Sequence, residues 1–173
     1  AAQRYVLSGQ SRIRVGSLAH VQNLLKAGDT RKRRAATAMN QRSSRAHAIV
    51  ILSMAMRNQE GTRVESSLFF ADLGGSEAVK RSKVSGDRLR EAVNINLGLL
   101  ALKKVIRALN EGAPYVPYSD SKLTMMLSPA VGGDSKTTVL VCASEDDSDA
   151  TETLQALRFA ETCSKVTQAT SVN

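Results

Sequence analysis

The sequence has few aromatic residues and few cysteines, and both shortages narrow the range of functions. Among 173 residues there are three Tyr, three Phe and no Trp. Proteins that bind single-stranded nucleic acid stack bases on aromatic side chains, so nucleic acid is not the expected partner. Cys142 and Cys163 are not spaced as a metal knuckle, and we expect two reduced thiols in the core. His20 and His47 are too far apart in the sequence to suggest a metal site.

Long apolar runs are also missing. No run approaches the ~20 residues that a membrane-spanning helix requires, so we expect no membrane partner. Hydrophobic residues make up 42% of the chain and charged residues 23%, a balance typical of a single folded domain. The chain begins Ala-Ala-Gln-Arg-Tyr-Val, without an initiator Met or the apolar stretch of a signal peptide. We therefore expect it to come from the middle of a longer protein.

Charge is distributed unevenly along the chain. The net charge is +8, yet residues 111–173 carry nine acidic and only four basic side chains. The first two-thirds of the chain are therefore strongly basic, which indicates an acidic polymer as partner. Charge alone does not say which polymer.

Three short apolar segments predict buried strands, at residues 48–56, 67–73 and 137–143. Each is rich in β-branched or aromatic residues, as in a strand covered on both faces. Residues 12–15 are a candidate fourth strand. The order of strands and helices predicts an α/β fold, but three such strands need further neighbours. The chain therefore resembles half of a doubly wound sheet, and its open edge predicts exposed apolar surface and self-association.

Four helices are predicted from periodicity and end signals. The first runs from a Ser17 cap to residue 26, with Gly28 just past its end. The longest covers residues 89–110, and residues 121–130 form a shorter one. The last covers residues 151–165. The side chains expected to be buried are, in the long helix, Ile95, Leu99, Leu102, Ile106 and Leu109 and, in the last helix, Leu154, Leu157 and Phe159.

One polar loop leads straight into the first strand, with the sequence Asn40-Gln-Arg-Ser43-Ser44-Arg45-Ala46-His47. Hydroxyls and a guanidinium on one loop are the groups that a phosphate–Mg²⁺ site uses. A turn that merely caps the strand explains the same residues about equally well.

A second loop follows the second strand, with the sequence Phe70-Ala-Asp72-Leu-Gly74-Gly75-Ser76-Glu77. An Asp at the carboxyl end of an α/β strand lies where ligands bind, and in P-loop NTPases it reaches Mg²⁺. Gly75 has no side chain, so its N–H could approach a γ-phosphate closely. A plain strand-to-loop turn with a solvated Asp is the alternative.

Taken together and in this order, the two loops resemble the switch regions of the kinesin motor domain, N-x-x-S-S-R-S-H and D-L-A-G-S-E. Four further motifs match the family in order: Glu91-Ala-Val-Asn94-Ile-Asn96 before a Leu-rich helix (the relay helix), Val116-Pro-Tyr118-Ser-Asp120-Ser121-Lys122-Leu123-Thr124, Gly132-Gly-Asp-Ser-Lys-Thr137, and Glu152-Thr-Leu-Gln-Ala-Leu-Arg-Phe159-Ala160. The resemblance implies the kinesin-type P-loop NTPase fold, a mostly parallel central sheet flanked by helices. Residues 1–173 would form its C-terminal half.

A P-loop is absent from the sequence. No G-x-x-x-x-G-K-[ST] occurs; in Gly132-Gly-Asp-Ser135-Lys136-Thr the second Gly is missing, and a predicted strand follows instead of a helix. In kinesins the P-loop precedes the first switch loop. The resemblance therefore implies a partner for this chain, the N-terminal half of the motor domain.

The resemblance also implies a microtubule-stimulated ATPase that uses ATP and Mg²⁺. Ser43 and Ser44 would face the phosphates and the metal, and Ser44 and Asp72 would hold Mg²⁺, Asp72 through water. Gly75 would donate to the γ-phosphate and Arg45 would pair with Glu77. Asn40 completes the nucleotide-contacting set, and Asn96 joins the polar network behind the second loop.

The microtubule-facing residues implied by the resemblance are Lys80, Arg81, Lys83, Arg88 and Lys122. The implied location is the microtubule cytoskeleton of the cytoplasm, and dimerisation would use coiled-coil regions outside this chain. Two expected basic contacts are replaced by Ser119 and Met125, and Leu97-Gly98 replaces Lys-Ser. Three hypotheses remain: half of an ATP-hydrolysing motor that is inactive alone, a non-catalytic microtubule-binding module, or a basic nucleic-acid binder.

Overall fold

The computed structural model describes residues 5, 8–9, 11–39, 47–74, 87–133 and 135–167, with backbone alone for 33–39 and 87–95. Two helical turns of the 3-10 type, Tyr118–Asp120 and Asp147–Asp149, precede the last two helices. The mixed order confirms the α/β class. The helices and strands are α1 (Leu18–Met39), β1 (Ala48–Arg57), β2 (Arg63–Asp72), α2 (Asp87–Asn110), α3 (Lys122–Leu127) and α4 (Ala150–Ser164).

Helix α1 begins as predicted but ends later. The Ser17 hydroxyl accepts the His20 N–H at 3.2 Å, which satisfies one of the unpaired N–H groups of a helix start. The predicted end at residue 26 is wrong, because the helix continues through Gly28 to Met39. Gly28 does not adopt the positive φ of a terminating glycine. An interior Gly costs only about 1 kcal/mol, which the flanking helical turns can absorb.

Strands β1 and β2 form an antiparallel hairpin. Its turn is held by Asn58, whose side-chain oxygen accepts the N–H groups of Glu60 at 3.1 Å and Thr62 at 2.8 Å. Gly61 has a φ of 80°, in the left-handed region that favours glycine. Both strands were predicted, and β2 begins four residues earlier than its apolar run.

The hairpin is more open to solvent than a strand covered on both faces. Met54 and Phe70 each expose 54% of their surface, and Leu68 exposes 47%. Within the described residues β1 and β2 pair only with each other. The mostly parallel sheet of the resemblance therefore has no parallel pair in this part of the chain.

The predicted strands at residues 137–143 and 12–15 are wrong for this structure, which assigns neither segment to a sheet. Leu140 is 89% exposed and Val139 is 47% exposed. A strand is completed by hydrogen bonds to a neighbour, and no strand of the described ranges lies beside either segment. The apolar pattern is typical of a strand that is covered by neighbouring elements, and neither segment has such a cover among the described residues.

The hydrophobic core lies where the second half of α2 meets α3. Leu99 and Ile49 pack against its edge, and the predicted stripe of α2 is confirmed at Leu102 and Ile106. Complete burial of such a side chain contributes about 1.5–3 kcal/mol, so this small cluster carries much of the stability. Its buried members are Leu102, Ile106, Leu123 and Leu127, and Ala101 and Val105 of α2 are buried as well.

Helix α4 covers this core with one side only. Phe159 and Cys163 pack against the cluster, whereas Leu154 and Leu157 are 48% and 50% exposed, so their predicted burial is wrong. Neither cysteine forms a disulfide, and Cys142 is exposed instead of lying in the core. Among the described residues, no helix combines the length and hydropathy of a membrane span.

Candidate functional site

The register of the hairpin brings together the described residues that adjoin the two candidate loops. Ala48, the first residue of β1, pairs with Asp72, the last residue of β2. His47, which ends the first candidate loop, and Leu73, which follows Asp72 in the second, therefore lie at the same end of the sheet, although a whole hairpin separates them in the sequence.

Asp72 is held at this end by a lysine of α1. The Lys32 Nζ lies 3.0 Å from the Asp72 Oδ2, and the Asp72 side chain remains 74% exposed while that of Lys32 is 21% exposed. The ion pair fixes one carboxylate oxygen and leaves the group accessible from solvent. Lys32 belongs to the basic run Arg31-Lys-Arg-Arg34, which lies within α1.

His47 connects the start of β1 to the loop that follows β2. Its Nδ1 accepts the Gly74 N–H at 2.9 Å, so the proton of the neutral ring is on Nε2. Burial lowers the pKa of His47, attraction to Asp72 raises it in part, and repulsion from Lys32 lowers it further. The net lowering favours the neutral ring that this hydrogen bond requires.

Helix α2 reaches the same place through its first described side chains. Gly98 is buried, and a Cβ added to it would lie 3.4 Å from the His47 Nε2. Asn96, two residues earlier, is partly buried. The helix that the resemblance identifies as the relay helix is therefore in contact with the residue that bridges the two loops.

Most of the predicted site residues lie outside the described residues, and their roles remain predictions. This holds for Asn40, Ser43, Ser44, Arg45, Gly75, Glu77, Lys80, Arg81 and Lys83, and for the side chain of Arg88.

Lys122 stands on a well-defined support. Ser121 caps α3: its hydroxyl accepts the Thr124 N–H at 3.0 Å, and the Thr124 hydroxyl donates to the Tyr118 carbonyl at 2.8 Å. The Tyr118 hydroxyl in turn donates to the Val131 carbonyl at 2.6 Å. Lys122 follows the cap directly and is exposed. The motif is thus a structural lock that presents one lysine to solvent.

One other basic side chain near this motif, Lys104, is already paired. The Lys104 Nζ lies 3.3 Å from the Asp120 Oδ2. Ser119, where the family has Arg, shares a hydrogen bond of 3.1 Å with the Tyr115 hydroxyl. The surface around α3 is therefore less basic than the family motif implies.

A preformed metal cage is not present in the part of the chain that is described: no group of three or more His, Cys, Asp or Glu side chains could hold an ion there. Mg²⁺ does not need such a cage, since it keeps several waters and uses one or two carboxylates. The exposed carboxylate of Asp72 fits that requirement as an oxygen donor.

Sequence reasoning missed Lys32, His47 and the contact at Gly98. Lys32 is forty residues from Asp72 and belongs to a run of four basic residues, so nothing in the sequence distinguishes it. His47 is the last residue of the candidate polar loop, but no role is predicted from the sequence for its own side chain. Its position at the end of a polar loop, directly before a strand, is the signal that could have identified it.

Comparison with known proteins gives the class of protein first. Residues 1–166 match the family model described as the kinesin motor domain. The chain therefore belongs to the kinesin motor domain family, and its α/β fold is of that type.

Individual relatives agree with this assignment. The chain is 44% identical over 153 residues to chromosome-associated kinesin KIF4 of Mus musculus, a match that covers 86% of this chain and 12% of that protein. The solved structure of a fast kinesin superposes with a TM-score of 0.86 at 39% identity, covering 96% of this chain and 48% of that one. A KIF14 dimer in complex with a microtubule gives 0.87 at 37% identity, covering 96% and 48%. The chain thus spans about half the length of these solved chains.

Proposed function

We propose that this chain carries the nucleotide-sensing loops and part of the microtubule-binding face of a microtubule-stimulated ATPase motor. One observation carries the proposal: the pairing of Ala48 with Asp72, from which we infer that both loops lie at one end of the hairpin. A γ-phosphate bound there would contact both loops at once. The proposal also holds that the ATP-binding P-loop belongs to a preceding half of the motor domain, and that this chain is inactive without it.

The proposed chemistry is phosphoryl transfer to water, in which positioning and charge stabilisation do most of the catalytic work. Ser44 and Asp72 would hold Mg²⁺, Asp72 through water, and the bound ion neutralises charge on the phosphates. Ser43 and Gly75 orient the γ-phosphate, with Asn40 at the nucleotide. Lys32 holds the Asp72 carboxylate at the end of the sheet through their ion pair.

Closure of the proposed site depends on the pairing of Arg45 with Glu77. This ion pair would join the two loops over the nucleotide and exclude bulk water, which strengthens the electrostatic interactions inside. Asn96, on the helix that touches His47, would pass the state of the loops to α2. The microtubule side of α2 and α3 would then respond to the nucleotide.

The proposed track-binding residues are Lys80, Arg81, Lys83, Arg88 and Lys122, which suit an acidic polymer. The microtubule-bound KIF14 relative supports the choice of microtubules as that polymer, and it makes the microtubule cytoskeleton the proposed location. Exposed Lys122 is the member of this set for which the structure supplies a rigid support.

A non-catalytic microtubule-binding module is the second candidate. It is favoured by Leu97, which is 53% exposed on α2 where the family motif has Lys, and by Ser119 in place of Arg. Such a module binds microtubules equally well with and without nucleotide. The motor instead changes its affinity with the nucleotide, so co-sedimentation with ADP and with a non-hydrolysable ATP analogue separates the two.

The direct test is the ATPase rate of the complete motor domain that contains this chain, with and without microtubules. Asp72→Asn should lower the stimulated kcat by about 100-fold, the loss typical of one charge-positioning group. Asp147→Asn is the matched control, because Asp147 is an exposed carboxylate in a distant turn, and it should stay within about 2-fold of the parent. Equal rates for the two variants would contradict the proposed role of Asp72.

A further inference from the structure

The two ring nitrogens of His47 are in different situations. Nδ1 accepts the Gly74 N–H at 2.9 Å, which leaves the ring proton on Nε2. Nε2 is buried, and no described residue accepts a hydrogen bond from it. A buried donor without an acceptor is rare. The ring is therefore hydrogen-bonded through Nδ1, whereas Nε2 has no acceptor among the described residues.

The His47 Nε2, which has no hydrogen-bond acceptor among the described residues, faces helix α2 at Gly98. A Cβ built on Gly98 would lie 3.4 Å from the Nε2, an approach that a side chain can tolerate with small adjustments. A serine hydroxyl at this position, which the family motif carries, would add an acceptor within reach of that nitrogen. Glycine supplies none.

The His47 Nδ1 is bonded to Gly74, at the start of the loop that carries the candidate phosphate contact. Gly74 is buried and immediately precedes Gly75. Because the Gly74 N–H is bonded to the ring of His47, the peptide at Gly74 is fixed relative to the start of β1. Lys32 and Asp72, the charged groups that act on His47, form their own ion pair at the same end of the sheet.

We propose that His47 is a positioning residue for the candidate phosphate-sensing loop that begins at Gly74, and that Gly98 makes the ring a one-sided link, hydrogen-bonded to Gly74 but to none of the described side chains of helix α2. The kinetic part of this inference rests on the proposed ATPase function. The structural part does not, because it concerns two hydrogen bonds within the chain.

Two substitutions of His47 separate the contributions of its nitrogens. In His47→Asn the side-chain oxygen takes the place of Nδ1 and can accept the Gly74 N–H. In His47→Gln the amide reaches the place of Nε2 and leaves Nδ1 without a substitute. Amide exchange at Gly74 in the chain should stay slow in His47→Asn and become about 5-fold faster in His47→Gln, as expected for the loss of one hydrogen bond. Equal exchange in both variants would overturn the link.

The same pair tests the functional role in the complete motor domain. His47→Gln should lower kcat about 10-fold, the effect typical of removing the support of a catalytic group, with KM for ATP changed less than about 3-fold. His47→Asn should restore most of kcat. If both variants lose activity equally while Gly74 exchange differs as expected, the hydrogen bond stands and its positioning role is overturned. If the parent has no ATPase activity, the proposed function fails and the exchange result still decides the link.

Gly98→Ser and Gly98→Ala form the matched pair of variants that tests the missing acceptor of the His47 Nε2. Both add a Cβ at the same place, but only serine adds an acceptor. The His47 Nε2 proton should become protected from exchange, and move downfield in its NMR signal, in Gly98→Ser and not in Gly98→Ala. Thermal stability is a poor readout, since any side chain at a helical glycine raises it. Protection of this proton in the unsubstituted chain would show that the link is already two-sided.

Discussion

The helical side of the chain and the hairpin contain similar apolar residues but bury them to different extents. Helices α2 and α3 bury six hydrophobic side chains, four of them in one cluster, with α4 against its edge. The hairpin leaves Met54, Leu68 and Phe70 about half exposed. The helical side makes its core from neighbours in the sequence, whereas the strands need a cover that the described residues do not provide.

The candidate site lies at the boundary between these two regions. His47 and Asp72 belong to the end of the hairpin, and Gly98 belongs to the packed helix. Active loops are commonly placed on rigid elements that move relative to each other. In this chain a stable helical body contacts a poorly covered hairpin at the point where the loops begin.

The largest difference between the regions should appear when a leucine is truncated. Leu102→Ala, at 5% exposure in the core, should reduce the free energy of unfolding by about 2–5 kcal/mol through lost burial and a cavity. Leu68→Ala, at 47% exposure in β2, should cost less than about 1 kcal/mol. Urea denaturation of the chain and its two variants measures both losses.

The same pair shows whether another part of the protein covers the hairpin. In the complete motor domain Leu68→Ala should become nearly as costly as Leu102→Ala, because the proposed N-terminal half buries that face. Equal losses already in the chain alone would refute the contrast between the regions. A Leu68→Ala loss that stays small in the complete domain would mean that the hairpin is never covered.

Two glycines with the same backbone conformation give the next contrast. Gly61 and Gly132 both have a φ of 80°, but a Cβ at Gly61 meets nothing, while one at Gly132 would meet the Tyr118 hydroxyl and lie 2.6 Å from a Leu109 methyl group. Gly61→Ala should cost about 1–2 kcal/mol for the left-handed backbone alone. Gly132→Ala should add about 1–3 kcal/mol for overpacking.

The difference between the two alanine variants therefore isolates packing from backbone strain. Thermal denaturation of both provides it directly. Identical melting temperatures would mean that the lock around Tyr118 yields easily, and that the helical side is less rigid than its contacts indicate.

The helical side was also the region that the sequence predicted well. The stripe that includes Leu102 and Ile106 repeats with helical spacing, and Ser121 with Thr124 is a local cap signal. Both features depend on residues three or four positions apart, so the pattern and the structure use the same neighbours. The mixed α/β class followed from such elements.

The failures lie where the determining partner is distant in the sequence or is not in the chain. The segment around Leu140 has the composition of a strand, but a strand needs a neighbour. Gly28 is the residue type that often ends a helix, but it lacks the positive φ of a terminating glycine and the helix continues through it. Lys32 and His47 act through residues 40 and 27 positions away, and no local pattern contains that information.

Acidification should weaken the boundary between the regions. Burial lowers the pKa of His47 below its ordinary value of 6.5, so the unfolded chain binds more protons than the folded one between the lowered pKa and 6.5. The stability contributed by the neutral ring is complete above about pH 6.5 and is lost as the pH falls through the folded pKa. Urea midpoints between about pH 7.5 and 5.5 should fall more steeply for the parent than for His47→Asn.

His20→Asn is the control for this pH dependence, because His20 is exposed on α1. Its stability profile should follow that of the parent. A His47→Asn variant that shows the full pH dependence of the parent would assign the effect to other groups and remove His47 from the account.

The smallest expected effect concerns two ion pairs, one in each region. Lys32–Asp72 lies at the hairpin end and Lys104–Asp120 on the helical side, and exposed pairs of this kind contribute about 0–1 kcal/mol. The side chains of the first pair are 21% and 74% exposed and those of the second are 59% and 36% exposed, so neither pair is shielded from solvent and salt more than the other. The separation is 3.0 Å for Lys32–Asp72 and 3.3 Å for Lys104–Asp120. Double-mutant cycles with alanine should therefore give the slightly larger coupling for Lys32–Asp72, and about 1 M salt should reduce both couplings. If the order is reversed, the ion pair at the hairpin end is weaker than the one on the helical side, just as the packing of the hairpin is. If it holds, the region with the weaker core is joined to helix α1 by charge at the end where the proposed Mg²⁺ ligand Asp72 lies.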